Sequence, residues 1–195
     1  MVLPGSAFTE RLLRLNGLEA AGFDSWELQP GMAFGEHAAW WRDGVPRDAP
    51  HEGLDLRSYI TSGGRSVPLE PGALVPVLWA GTVAAVVPDF LGRSVFVAHD
   101  GRDEAGRRLH SVYGHLDPRP GLEPGCALRE GEEVGVIADP AARNSFVPSH
   151  LHVTVAWIAD APGMLDWRVL HVPARAVLID PLPFVCATMP PPQRA

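Results

Sequence analysis

The segment Ser149-His150-Leu151-His152-Val153-Thr154-Val155 constrains the fold of this chain more than any other stretch. It heads an apolar, Val-rich run, and in a strand residues i and i+2 share a face. His150 and His152 therefore project side by side, while Leu151, Val153 and Val155 enter a core on the other face. Other short apolar runs bounded by turn residues read as strands in the same way. They are Val75-Pro76-Val77-Leu78-Trp79, Thr82 to Val87, Ser94 to Ala98, Leu109 to Tyr113, Glu133 to Ile137 and Ala176 to Ile179. With 20 glycines and 20 prolines among 195 residues, long helices are disfavoured.

One short amphipathic helix is predicted over residues 6–15, with Phe8, Leu12 and Leu15 on its apolar face. Ser6 serves as its N-cap and Asn16-Gly17 as its stop. Residues 23–50 read as irregular, and the Trp40-Trp41 pair reads as a packed aromatic corner rather than a groove lining. Residues 159–175 read as an insertion, and the Pro-rich end from Met189 as disordered. The expected fold is mainly β, with His115, His150 and His152 on one face of an antiparallel sheet. Loops 23–50 and 138–149 are expected to wall a groove above it.

A net charge of −7 argues against a nucleic-acid surface. No run approaches the roughly 18 apolar residues of a membrane span. The N-terminal stretch is broken by Glu10, Arg11, Arg14 and Glu19, so it does not read as a signal peptide. Cys126 and Cys186 fit either free thiols or one disulfide. All 16 basic residues are Arg, which excludes lipoyl and biotinyl carrier domains, since these need a lysine to modify.

Five positions form a constellation: His51 and Asp55 in His-x-x-x-Asp, His115 in Tyr113-Gly114-His115-Leu116, and the pair His150 and His152. A hydrolytic zinc site takes three protein ligands and keeps one position open, which two imidazoles and a carboxylate satisfy. Two more imidazoles nearby suit proton transfer or oxyanion stabilisation. His51-Glu52 is not the start of a His-Glu-x-x-His helix, because position 55 is Asp and Pro50 and Gly53 flank the segment. His37, His99, His110 and His171 are assigned structural or surface roles.

In this order the motifs resemble those of the lysostaphin-type, or LytM-type, zinc endopeptidases that cut peptide bonds in bacterial peptidoglycan. Gly81-Thr82-Val83, the glycines 125, 131 and 135, and Asp180-Pro181-Leu182-Pro183 are similar to further landmarks of that family. The resemblance spans roughly residues 30–185. It implies an antiparallel β-sheet or sandwich of the duplicated hybrid motif kind with a short N-terminal helix. It divides the chain into a helical extension (1–29), a metallopeptidase domain (30–185) and a Pro-rich tail (186–195). It implies one Zn2+ on His51, Asp55 and His152, and catalytic roles for His115 and His150, with the division of labour between those two left open. The implied substrate is peptidoglycan peptide in the periplasm or outside the cell. A non-catalytic wall-binding or hydrolase-regulating module on the same fold is the alternative. Ala138, the loop 139–149 and the 159–175 insertion depart from the family pattern.

Overall fold

A computed structural model describes residues 3–42, 45–160 and 165–186. In chain order the elements are α1 (Phe8–Asn16), β1 (Phe23–Glu27), β2 (Leu54–Leu56), β3 (Ser58–Thr61), β4 (Ser66–Pro68), β5 (Leu74–Pro76), β6 (Gly81–Pro88) and β7 (Arg93–Arg102). They continue with β8 (Arg108–Pro118), β9 (Ala127–Leu128), β10 (Glu133–Ile137), a 3-10 turn at Ala141–Arg143, β11 (Leu151–Ile158), α2 (Trp167–Leu170), β12 (Ala176–Ile179) and α3 (Leu182–Val185). The protein is mainly antiparallel β. A nine-stranded sheet runs β12-β11-β8-β7-β6-β9, with β2 added beside β11 and the β5–β10 pair beside β8. A small sheet, β1-β3-β4, stands apart from it. No helix among the described residues is long and apolar enough to cross a membrane.

The sheet is covered on both faces, which is why β11 is buried along its whole length. Its odd positions, Leu151, Val153, Val155 and Trp157, join Tyr113, Val95 and Val97 in the larger core. Its even positions Ala156 and Ile158 join Phe96, Val112, Val169 and Leu170 in a smaller one. Full burial of each such aliphatic side chain contributes about 1.5–3 kcal/mol.

Helix α1 begins at Phe8, with the Phe8 N–H bonded to Ser6 Oγ at 3.1 Å, and ends at Gly17 in the left-handed conformation (φ 64°). Phe8 and Leu12 enter the larger core. Leu15, expected on that face, is 40% exposed; Leu13 is buried instead. After the turn at Gly17, the Leu18 N–H returns to Leu13 O and Leu18 packs on the core. Asn16 bonds the backbone of Leu74 in both directions, at 2.7 and 2.9 Å, fixing the helix to β5.

Residues 23–50 are not wholly irregular. Phe23–Glu27, whose short and largely polar sequence shows no alternation to read, pairs with β3. The strand expected over Ser94 to Ala98 is longer, because β7 continues to Arg102 and pairs there with Arg108. Residues 161–164 of the insertion and the end of the chain from 187 lie outside the described residues.

Candidate functional site

Strand pairing brings distant motifs together. β2 lies antiparallel to β11 with Asp55 directly opposite His152, and on the other side of β11 His152 faces Gly114. Glycine is required at one of these contacts and relieves crowding at another. A Cβ on Gly53 would lie 2.6 Å from His152 Nε2 and 2.4 Å from Val153 O. One on Gly114 would meet both His152 and Trp167 at 3.2 Å.

His115 reaches the same face by a different device. Tyr113 and His115 are two apart, so a regular strand would put both in the larger core. Between the pairs Arg93–Leu116 and Val95–Tyr113 the β7–β8 register shifts, and His115 has φ 64°. This bulge with a left-handed residue turns the imidazole to the opposite face. Such a conformation is strained for a non-glycine residue and concentrates at functional sites.

His51, Asp55 and His152 are buried, and their ligating atoms converge. His51 Nε2 lies 3.2 Å from His152 Nδ1 and 3.2 Å from Asp55 Oδ1, and His152 Nδ1 lies 2.8 Å from Asp55 Oδ1. The remaining polar atoms of the trio are engaged elsewhere. His51 Nδ1 is 3.1 Å from Ala33 O, which only accepts, so Nδ1 carries the proton and Nε2 presents a lone pair. His152 Nε2 is 2.8 Å from Thr154 Oγ1, a hydroxyl able to accept its proton. Asp55 Oδ2 accepts from Trp40 Nε1 at 2.7 Å and from Arg47 Nη2 at 3.0 Å, leaving Oδ1 for the shared point.

This donor set fits a zinc ion. Tetrahedral coordination with bonds of about 2.0–2.2 Å separates ligand atoms by roughly 3.3–3.6 Å. Two of the observed separations, both 3.2 Å, lie just under that edge, and the third, 2.8 Å, is about half an ångström short of it. Partners that fix the tautomer and free oxygen of each ligand are the usual outer shell of such a centre.

Electrostatics agree. Burial opposes ionisation of Asp55, but the surrounding imidazoles of His150, His152 and His51 outweigh it, so the carboxyl sits well below its usual range. Burial pushes His152 down against the pull of Asp55, and pushes His150 down to about 3. Neutral imidazoles and an ionised carboxylate are the forms that bind a metal.

His150 and His115 stand beside the trio. His150 Nδ1 is held by Pro148 O at 2.9 Å, so its Nε2 carries the lone pair, 3.7 Å from Asp55 Oδ1. The His115 and His150 rings are 4.6 Å apart. A groove of about 640 Å³ opens over them, lined among others by Trp41, Arg47, Glu52, Phe90, Trp167 and His171.

No family model matches the chain, and no curated protein matches it. Among solved structures it is similar to lysostaphin in solution (14% identity, TM-score 0.49), over 89% of this chain and 52% of that one. It is also similar to a mutant catalytic domain of the prophage-encoded M23 protein EnpA from Enterococcus faecalis (18%, TM-score 0.40; 71% of this chain, 89% of that one). A third is Csd3 from Helicobacter pylori (18%, TM-score 0.38; 77% and 37%). The chain spans about half the length of the lysostaphin structure and less of Csd3.

All five sequence-predicted residues are brought into one site, but several neighbours were missed or misassigned. The Trp pair packs edge-on as an aromatic corner, but beside the site: Trp40 holds Asp55 and packs edge-on against His150, with ring centroids 5.0 Å apart, and Trp41 lines the groove under Arg47. Ala39, Trp41, Arg42 and residues 45–49 wall the groove, whereas 138–149 do not line it. His171 lines it as well, although its surroundings in sequence carry no metal or catalytic pattern. Asp89 and Trp167, from a turn and from the insertion, meet the site only through tertiary packing. His99 bonds Ala80 O and Ser111 Oγ on the opposite face, in keeping with a structural role.

Proposed function

We propose that the chain is a zinc-dependent endopeptidase that hydrolyses peptide bonds of peptidoglycan cross-links or bridges. His51, Asp55 and His152 would hold the metal, and His115 and His150 would be the catalytic residues. The observation that carries this reading is the convergence of three buried donor atoms, each with its remaining polar atom engaged, beneath an open groove containing two further imidazoles. The ordered motifs support the substrate class.

When bound, zinc supplies Lewis-acid polarisation of a carbonyl and acidifies water. The chain supplies the rest. Trp40 and Arg47 hold Asp55 so that one oxygen remains available. His150 offers an unprotonated Nε2 to the reacting centre and accepts a proton there. His115, across a 4.6 Å ring separation, completes the pair that moves protons and stabilises the developing oxyanion. The groove receives an extended peptide.

Purified sacculi digested with zinc-loaded protein should release peptide fragments with new amino termini, detected by mass analysis. His150→Ala should keep its zinc and lose roughly 10²–10⁴ in rate. His152→Ala should lose both zinc and cleavage. Full cleavage by His150→Ala would sink the assignment. Intact sacculi of every wall type, with stoichiometric zinc bound, would favour the wall-binding or regulatory alternative.

A further inference from the structure

A second constellation lies beside the proposed metal centre, and the residues that build it around His115 belong to none of the sequence motifs. Asp89 stands in the turn between β6 and β7, its side chain only 2% exposed. Its Oδ1 accepts the backbone N–H groups of Leu91 at 2.8 Å and Gly92 at 2.7 Å. Its Oδ2 accepts the Ser94 hydroxyl at 2.6 Å and the backbone N–H of His115 at 2.9 Å. Asp89 Oδ1 is also 3.2 Å from His115 Nδ1, a ring nitrogen that is buried and has no aligned hydrogen-bond partner. Ser94 Oγ in turn accepts Trp167 Nε1–H at 2.9 Å. The indole of Trp167 packs against His152, with ring centroids 5.1 Å apart.

From this chain of contacts we propose that Asp89, backed by Ser94 and Trp167, is the positioning residue for His115. It would hold both the left-handed backbone and the Nδ1–H tautomer that point Nε2 into the groove. The inference rests on the peptidase reading for what His115 does, and adds which groups make it competent. Two independent features support it. The first is the strained φ of 64° at His115, which is clamped from both sides: Asp89 takes its N–H and Ala138 N–H donates to its carbonyl at 2.9 Å. The second is the carboxylate beside a ring nitrogen with no other partner, since such bonds are often misaligned in a free enzyme and tighten around substrate. The insertion that carries Trp167 thereby joins the site: its indole packs against His152, and its N–H feeds the Ser94–Asp89 link to His115.

The test is imidazole 15N–1H correlation spectroscopy of the zinc-loaded protein, read beside the rate of fragment release from sacculi. Wild-type His115 should show one Nδ1–H tautomer. Asp89→Asn should give a tautomer mixture, with release slowed roughly 10- to 100-fold and zinc stoichiometry unchanged, the effect of losing a hydrogen bond to a charged group. Trp167→Phe and Ser94→Ala leave the turn's backbone bonds in place and decide the matter if Asp89→Asn fails to fold. Each should slow release about fivefold, the effect of one lost hydrogen bond, and broaden the same His115 signal. A wild-type His115 tautomer in all the folded variants would overturn the proposal. The spectra need no substrate, so they decide the positioning role even if sacculi stay intact.

Discussion

Two buried histidine clusters sit on opposite faces of one sheet, and they differ in a single respect. On the core face, His99 Nδ1 donates to Ala80 O, Ser111 Oγ lies 2.9 Å from His99 Nε2, and Tyr113 Oη lies 2.9 Å from Ser111 and accepts the Leu78 N–H. Every polar atom there has a complementary partner, so the cluster closes on itself. On the groove face, His51, Asp55 and His152 turn their outer atoms to carbonyl, hydroxyl, indole and guanidinium partners and leave three acceptor atoms aimed at one point. Burial of histidine therefore does not mark a site. What marks one is a set of buried acceptors whose geometry is complete only around a cation.

The largest effect that sharpens the comparison is on Arg47. Its guanidinium ties Asp55 Oδ2 to Gly31 O and Ala38 O. Arg47→Met should weaken zinc binding roughly 10- to 100-fold, as loss of an outer-shell partner does. Competition with a chromogenic chelator measures it, and an unchanged affinity would break the claim that the groove face is organised for a cation.

The core cluster should respond in stability alone. His99→Leu strands Ser111 Oγ and Ala80 O, and should lower unfolding free energy by about 1–3 kcal/mol. Zinc affinity should not move. Denaturant unfolding and the same chelator assay separate the two readouts, and a loss of zinc would erase the distinction between the faces.

The smallest effect concerns His110, buried at the far end of the groove-side face near Ile158. Burial pushes it from the ordinary 6.5 down to about 4. The unfolded chain therefore binds the proton first, so stability from the neutral ring is complete above pH 6.5 and is lost as pH falls towards 4. Metal-free His110→Asn should show a flatter loss of melting temperature over that window than metal-free wild type. Parallel curves would mean that His110 does not titrate this way.

Much of the site was legible because its signals are local. Two imidazoles two apart on a Val-rich strand share a face by strand geometry alone, and the three motifs kept a recognisable order. The short helix and the strands at 133–137 and 176–179 were legible for the same reason, since periodicity and turn residues act over a few positions. The groove wall around Trp41 and Arg47 was not: Trp40 and Trp41 carry no period, and only the packed chain shows that one of them bonds Asp55.

The sequence by itself thus determined which side chains were available, that His150 and His152 point together, and that the chain would be mainly β. Tertiary structure decided the rest. The β2–β11 register set Asp55 opposite His152, although 97 positions separate them in the chain. The bulge at His115 reversed the face that strand alternation assigns to that residue. Turn, wall and insertion delivered Asp89, Arg47 and Trp167. These outcomes depend on hydrogen bonds between residues far apart in sequence and on a strained backbone that only the surrounding fold can hold, and no short-range pattern encodes them.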